Sequence, residues 1–265
     1  MRLGVKDFPS PPPHVWAYFQ GLRDHTPGPE HFIADSSEVV LKLLRSELVV
    51  TTVLAPAEWL AAHAQLLARH PDAEVYAVTP ESYRTIVGHE MHQGIMARGR
   101  RPAEASLAEL AEHAPVIVLD GIAKTDNVGA IVRNAAAFGV RQILLDRRTC
   151  HPFQRRAVRT SMGNVYVMRT RQCEDLVAEL RALRALGIRL VGFENRPQAT
   201  DLPAYLFERR TAIVIGSEAS GISPEVLAVL DDLVRIPIDQ GVYALNAACA
   251  SAVALAALAG ALRSK

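Results

Sequence analysis

Leu119-Asp120-Gly121-Ile122-Ala123-Lys124-Thr125-Asp126-Asn127-Val128-Gly129-Ala130-Ile131-Val132-Arg133-Asn134-Ala135-Ala136-Ala137-Phe138-Gly139 reads as the end of a strand, a loop and a helix. Asn127 is a helix-capping residue type, because its side-chain oxygen can accept a free N–H of the first turn. Gly139 can stop the helix in a left-handed conformation. Between them Val128, Ile131, Val132 and Ala135 recur at helical spacing and form a buried stripe. Arg133 falls well off that stripe and projects from the helix side. Read by itself, the segment is a capped helix with a surface arginine.

The same alternation continues outward. Strands are expected at 116–119, 143–145, 165–168, 190–193 and 212–215, with helices around 128–138, 154–161, 174–186 and 224–231. Such a pattern predicts an α/β fold with a mostly parallel sheet and helices on both faces. Ligands of open α/β sheets sit beyond the carboxyl ends of the strands, where 121–127, 216–221 and 238–246 fall. Upstream, a smaller α/β pattern is expected, with helices at 38–46, 56–68 and 80–87 and strands at 48–54 and 75–78. The predicted organisation is an arm rich in proline and aromatics with one short helix (1–30), a small domain (31–97), a basic Gly/Pro-punctuated linker (98–113) and a large domain (114–265).

Composition narrows the class. With 49% hydrophobic and 22% charged residues among 265, the chain is neither disordered nor fibrous, and it can bury a core without metals or disulfides. The three cysteines, Cys150, Cys173 and Cys249, are widely spaced and form no CxxC pair, so no disulfide framework and no metal site is expected. That usage and the lack of an apolar signal-like start suit a cytoplasmic protein. Residues 244–262 carry no charge, yet they are mostly alanine, and an all-round apolar helix buried in a soluble core is expected rather than a membrane span. A net charge of +1 says nothing of a nucleic-acid partner. The distribution says more: Arg141, Arg147, Arg148, Arg155, Arg156, Arg159, Arg169 and Arg171 face one acid, Asp146.

Two further segments can carry chemistry. Ile213-Val214-Ile215-Gly216-Ser217-Glu218-Ala219-Ser220-Gly221-Ile222-Ser223-Pro224 is a buried strand running into a glycine-bounded loop, with Pro224 suited to a helix start. It is no phosphate loop: Ile222 stands where a Walker lysine is needed, and Glu218 would repel phosphate. Ile236-Pro237-Ile238-Asp239-Gln240-Gly241-Val242-Tyr243-Ala244-Leu245-Asn246 ends a strand and feeds the small-residue helix, whose plain reading is tight packing.

Together the three segments resemble the SpoU (TrmH) branch of the SPOUT-class methyltransferases, through Asn-x-Gly-x-x-x-Arg, Gly-x-Glu-x-x-Gly and Ile-Pro…Leu-Asn in that order within 116–262. Residues 32–97 resemble the RNA substrate-binding domain often found ahead of it, similar to ribosomal proteins, down to His92-Gln93-Gly94-Ile95-Met96-Ala97. The resemblance implies a deep trefoil knot, a homodimer with its site at the interface, and methyl transfer from S-adenosylmethionine to a ribose 2′-hydroxyl of RNA. By motif position the donor is held by Gly216, Ile236 and Leu245, with Phe193, Ile215 and Ile238 nearby. Arg133 is the activating residue, and Asn127, Glu218 and Asn246 are the other polar site positions. A guanidinium is a poor base, so Arg133 suits phosphate binding and stabilisation of alkoxide charge, leaving the proton acceptor open. Arg147, Arg148, Arg155, Arg156 and Arg159 are the expected RNA contacts, and the N-terminal domain favours ribosomal over transfer RNA. Two departures matter: Ala244 replaces the usual serine, and Lys124-Thr125 replaces a common Asp-Pro. The alternatives are a weak or inactive paralogue that binds RNA, and a transfer-RNA methyltransferase.

Overall fold

A computed structural model describes residues 10–19, 30–79, 81–83, 94–239, 241 and 244–263. They divide into two compact units, Met1–Pro102 with Phe153–Tyr166, and Ala103–Pro152 with Val167–Lys265.

The first unit contains α1 (Pro13–Trp16), β1 (His31–Asp35), α2 (Ser37–Arg45), β2 (Val50–Ala55), α3 (Ala57–Ala62), α4 (Ala64–Leu67), β3 (Glu74–Ala77) and β4 (Met96–Arg100). Its sheet runs β1-β4-β2-β3, with β4 antiparallel to both neighbours and β2 parallel to β3. The helical spacing in α2 is met by burial of Val39, Val40, Leu43 and Leu44. The basic run expected to open a linker is instead an inner strand. Gly99 allows this, since a Cβ there would lie 2.4 Å from the Phe32 ring. Of the helix expected at 80–87, residues 81–83 are helical, and 80 and 84–87 lie outside the described residues, as do His92 and Gln93.

The second unit opens with α5 (Leu107–Glu112), β5 (Val116–Asp120), α6 (Thr125–Ala137) and β6 (Gln142–Asp146). Helix α7 (Arg155–Thr160) follows in sequence but belongs to the first unit. Then come β7 (Arg169–Cys173), α8 (Leu176–Ala185), β8 (Arg189–Phe193), β9 (Thr200–Asp201), β10 (Thr211–Gly216), α9 (Pro224–Leu227), β11 (Asp232–Arg235) and α10 (Ala247–Arg263). The sheet order is β7-β6-β5-β10-β8-β11-β9, and every pairing is parallel. Central strands of such a sheet are covered on both faces, and β5 and β6 are accordingly buried at every residue. Leu110, Leu180, Leu183 and Val226 pack with Val116, Val118, Leu144 and Val214 in one core.

Four expectations are corrected. Residues 165–168 are not a strand: Asn164–Val167 is a 3-10 turn, Val165 and Tyr166 are buried there, and the strand begins at Arg169. A short apolar run signals burial without fixing the backbone form. Asn127 does not cap α6, because the helix starts at Thr125 with Lys124 at the cap position. Helix α9 stops at Leu227 instead of continuing to 231. Helix α10 is not buried all round. Ala247, Ala248, Ser251, Ala254, Leu255 and Leu258 face the protein, while Cys249, Val253, Ala256 and Gly260 form an exposed stripe. Among the described residues no helix is long and apolar enough to cross a membrane.

Candidate active site

Strand β10 ends at Gly216, and the loop after it folds back on itself. Ser217 N–H donates to Gly221 O at 3.0 Å, and Gly221 N–H donates to Ser217 O at 2.8 Å. A Cβ on Gly216 would stand 2.2 Å from backbone atoms of both Gly221 and Ile222, so only glycine permits the closure. Gly221 has φ +69°, which glycine adopts at no steric cost. Glu194, just past β8, accepts the Ile222 N–H at 2.9 Å and supports the loop from below.

This loop walls a cavity of about 490 Å³ at the carboxyl ends of β8, β10 and β11. All six residues expected to hold a donor line it: Phe193, Ile215, Gly216, Ile236, Ile238 and Leu245. The volume falls within the usual range for small-molecule sites, roughly 300–1,000 Å³. Apolar walls at Phe193, Ile215, Ile236, Ile238 and Leu245, mixed with polar groups at Glu194, Asn195, Ser217, Glu218 and Ser220, fit a nucleoside and a sulfonium.

Polar groups gather at one rim. Asn127 Nδ2 donates to Glu218 Oε1 at 2.6 Å, and Asn246 Nδ2 donates to the same oxygen. Asn246 Nδ2 also reaches Asn127 Oδ1 at 3.2 Å. Asn246 Oδ1 accepts the Ala248 N–H at 2.9 Å and so caps α10. Both asparagines thus use donor and acceptor at once, which an ionised Asp cannot do. Lys124 Nζ lies 2.8 Å from Glu218 Oε2. The Lys124 ammonium foremost, then the Asn127 amide and the Ala247 N–H, outweigh desolvation and hold the Glu218 carboxyl below its usual range.

Arg133 is not in this cluster. From Asn127 it lies about 9 Å along α6 and about 240° around it, and its side chain is exposed. Ala244, where the family's serine was expected, lines the cavity. The five arginines expected to contact RNA are divided between the units. Arg155 is 16% exposed and donates to Asp35 at 2.7 Å, with Arg159 3.8 Å from the same carboxylate. Arg156 is exposed, and Arg147 pairs with Glu174 at the surface. Arg148 bridges two acids: it donates to Asp120 at 2.6 Å and to Asp146 at 2.7 Å.

The sequence profile of the SpoU rRNA Methylase family matches residues 114–256, more than half of the chain. The chain belongs to the SpoU rRNA methylase family. Its relatives include a Mycobacterium bovis protein named as an uncharacterised tRNA/rRNA methyltransferase, 33% identical over 69% of this chain and 65% of that protein. The chain thus spans somewhat less than two thirds of that relative's length. A 23S rRNA (guanosine-2′-O-)-methyltransferase, RlmB of Xylella fastidiosa, is 30% identical over 71% of this chain and 78% of its own length. Among solved structures, the SpoU methyltransferase AviRb of Streptomyces viridochromogenes, in complex with AdoMet, has a TM-score of 0.79 at 22% identity, covering 95% of this chain and 98% of that one. That likeness is one of fold.

Three features of the candidate site were not anticipated. Glu194 follows Phe193 at the end of β8, a position that the strand-end rule could have flagged. The Asp120–Arg148–Asp146 bridge joins residues scattered in sequence. Lys124 showed only as a departure from the family pattern, with no hint that it meets Glu218.

Proposed function

We propose that this chain is an S-adenosylmethionine-dependent RNA 2′-O-ribose methyltransferase acting on ribosomal RNA. One observation carries the reading: Asn127, Glu218 and Asn246, drawn from three separate segments, meet at the rim of the cavity walled by Gly216 and Leu245. When bound, S-adenosylmethionine supplies an electrophilic methyl on a sulfonium. Gly216, Ile236 and Leu245 would hold it, with Phe193, Ile215 and Ile238 lining the space around it. The rim groups Asn127, Glu218 and Asn246 would orient the ribose hydroxyl. A sugar hydroxyl is a weak acid, so cationic groups must favour the charge that develops on its oxygen. Arg133 supplies that charge and binds the adjacent phosphate.

Arg133 faces outward from α6, which suits a homodimer whose site is completed at the interface. The exposed stripe of Cys249, Val253, Ala256 and Gly260 on α10 supports such pairing, because small side chains let two helices approach closely. The parallel order β5-β10-β8-β11, and the placing of Ile236, Ile238, Ala244 and Leu245 around one cavity with the 216–221 loop, support a trefoil knot. In the first unit Arg155, Arg156 and Arg159 serve as RNA contacts, and in the second Arg147 and Arg148 do. The site of action is the cytoplasm. A weakly active RNA-binding paralogue is the second reading, favoured by Ala244, which puts a methyl group at the cavity wall where a hydroxyl was expected.

Calorimetric titration with S-adenosylmethionine tests the assignment. Saturable binding with a dissociation constant in the micromolar range is expected, and no heat at millimolar donor overturns it.

A further inference from the structure

Lys124 stands at the cap position of α6, in the loop leaving β5, with 73% of its side chain exposed. Its ammonium sits 2.8 Å from Glu218 Oε2. Glu218 Oε1 accepts from Asn127 Nδ2 and Asn246 Nδ2. One oxygen thus meets a charge and the other gathers two amides. A carboxylate engaged through one oxygen can still turn about its last torsion, since terminal sp³–sp² torsions are broad. An ammonium on the second oxygen removes that freedom. It also offsets the negative charge that an incoming phosphodiester would meet at the rim.

We propose that Lys124 is a positioning residue of the transfer site: it fixes Oε2 of Glu218 so that Oε1 holds Asn127 and Asn246 in the orientation that meets the ribose. The inference rests on the cluster being the transfer site. The groups facing Glu218 come from three places: Lys124 from the β5–α6 loop, Asn127 from α6, and Asn246 with the Ala247 N–H from the start of α10. Lys124 contributes first to holding the Glu218 carboxyl below its usual range, so losing it raises the pH at which Glu218 takes up a proton.

The test compares the wild-type chain with Lys124→Met and Lys124→Arg. Side-chain amide signals of Asn127 and Asn246 are followed by NMR through an acid titration. Methyl transfer to 23S ribosomal RNA transcribed in vitro is measured in parallel, also in a Glu218→Gln background. Lys124→Met should move the amide titration to higher pH and lower kcat/KM by roughly three- to tenfold. Lys124→Arg should restore both, and Lys124→Met should add nothing once Glu218 is glutamine. An unmoved titration, or an equal loss of transfer in the Glu218→Gln background, overturns the role. If the wild-type chain transfers no methyl while the titration still moves, the function given to the site falls and this role falls with it.

Discussion

Two carboxylate clusters stand at the carboxyl ends of the same parallel sheet, and they differ in how far they are closed. Around Asp120 and Asp146 all four oxygens are taken. Asp120 accepts from Arg148 and the Ser223 N–H, and Asp146 accepts from Arg148, Thr149 and the Gly121 N–H. Both acids are buried, at 1% and 6% exposure. Glu218 is 23% exposed in its side chain, borders the cavity, and has exposed neighbours in Lys124 and Asn246. Each pairs carboxylate with a cation, Arg148 in one and Lys124 in the other. A sealed cluster pins loops together, whereas an open one keeps donors and acceptors within reach of a ligand. Arg148 is therefore first a tie between β5 and β6.

The contrast can be broken most severely at the backbone of the open cluster. Gly216→Val drives a side chain into Gly221 and Ile222, and S-adenosylmethionine binding should weaken by roughly a hundredfold or more. The same change should cost about 1–3 kcal/mol of stability, read by calorimetry and denaturant unfolding. At the closed cluster, Asp120→Ala orphans the Ser223 N–H and one end of Arg148. It should cost about 2–3 kcal/mol in unfolding free energy and leave donor affinity within about threefold. Glu218→Gln reverses that pattern, with stability changed by under about 0.5 kcal/mol and transfer slowed by roughly tenfold.

Acid sharpens the same distinction. Burial opposes ionisation of Asp146, but the Thr149 hydroxyl, Arg148 and the Gly121 N–H outweigh it and hold the carboxyl below its usual range. Glu218 is lowered too, first by Lys124. For both, the stability contributed is complete above the unfolded carboxylate values, about 4, and is lost as pH falls through the lower folded values. Thermal melts through that range should flatten more for Asp146→Asn than for Glu218→Gln. The smallest effect is expected at Arg147, whose bridge to Glu174 is exposed on both sides. Arg147→Ala should change stability by no more than about 0.5 kcal/mol.

Much of the second unit was legible. Strands β5, β6, β8 and β10 have apolar centres, and glycine, proline and asparagine mark the loops that end at the cavity. The six lining residues and the Asn127–Glu218–Asn246 meeting follow from motifs that coincide with those strand ends. The rest was hidden for physical reasons. Arg98-Gly99-Arg100 has a linker's composition, yet Gly99 is small because Phe32 covers it. Residues 164–167 bury Val165 and Tyr166 in a turn, a burial that alternation alone could not tell from a strand. Arg133 shares a motif with Asn127 but not a helix face. Arg155 looked like surface charge until Asp35, 120 residues earlier, claimed it.

The central claim is that this site methylates a ribose oxygen. A 2′-O-methyl group removes the nucleophile that alkali uses to cut the neighbouring phosphodiester, so the most direct measurement is methyl-labelled S-adenosylmethionine, ribosomal RNA and this protein, followed by complete alkaline hydrolysis. Label recovered in alkali-resistant dinucleotides is the predicted result. Label confined to mononucleotides, which marks a methylated base, or no label in RNA at all would contradict the account.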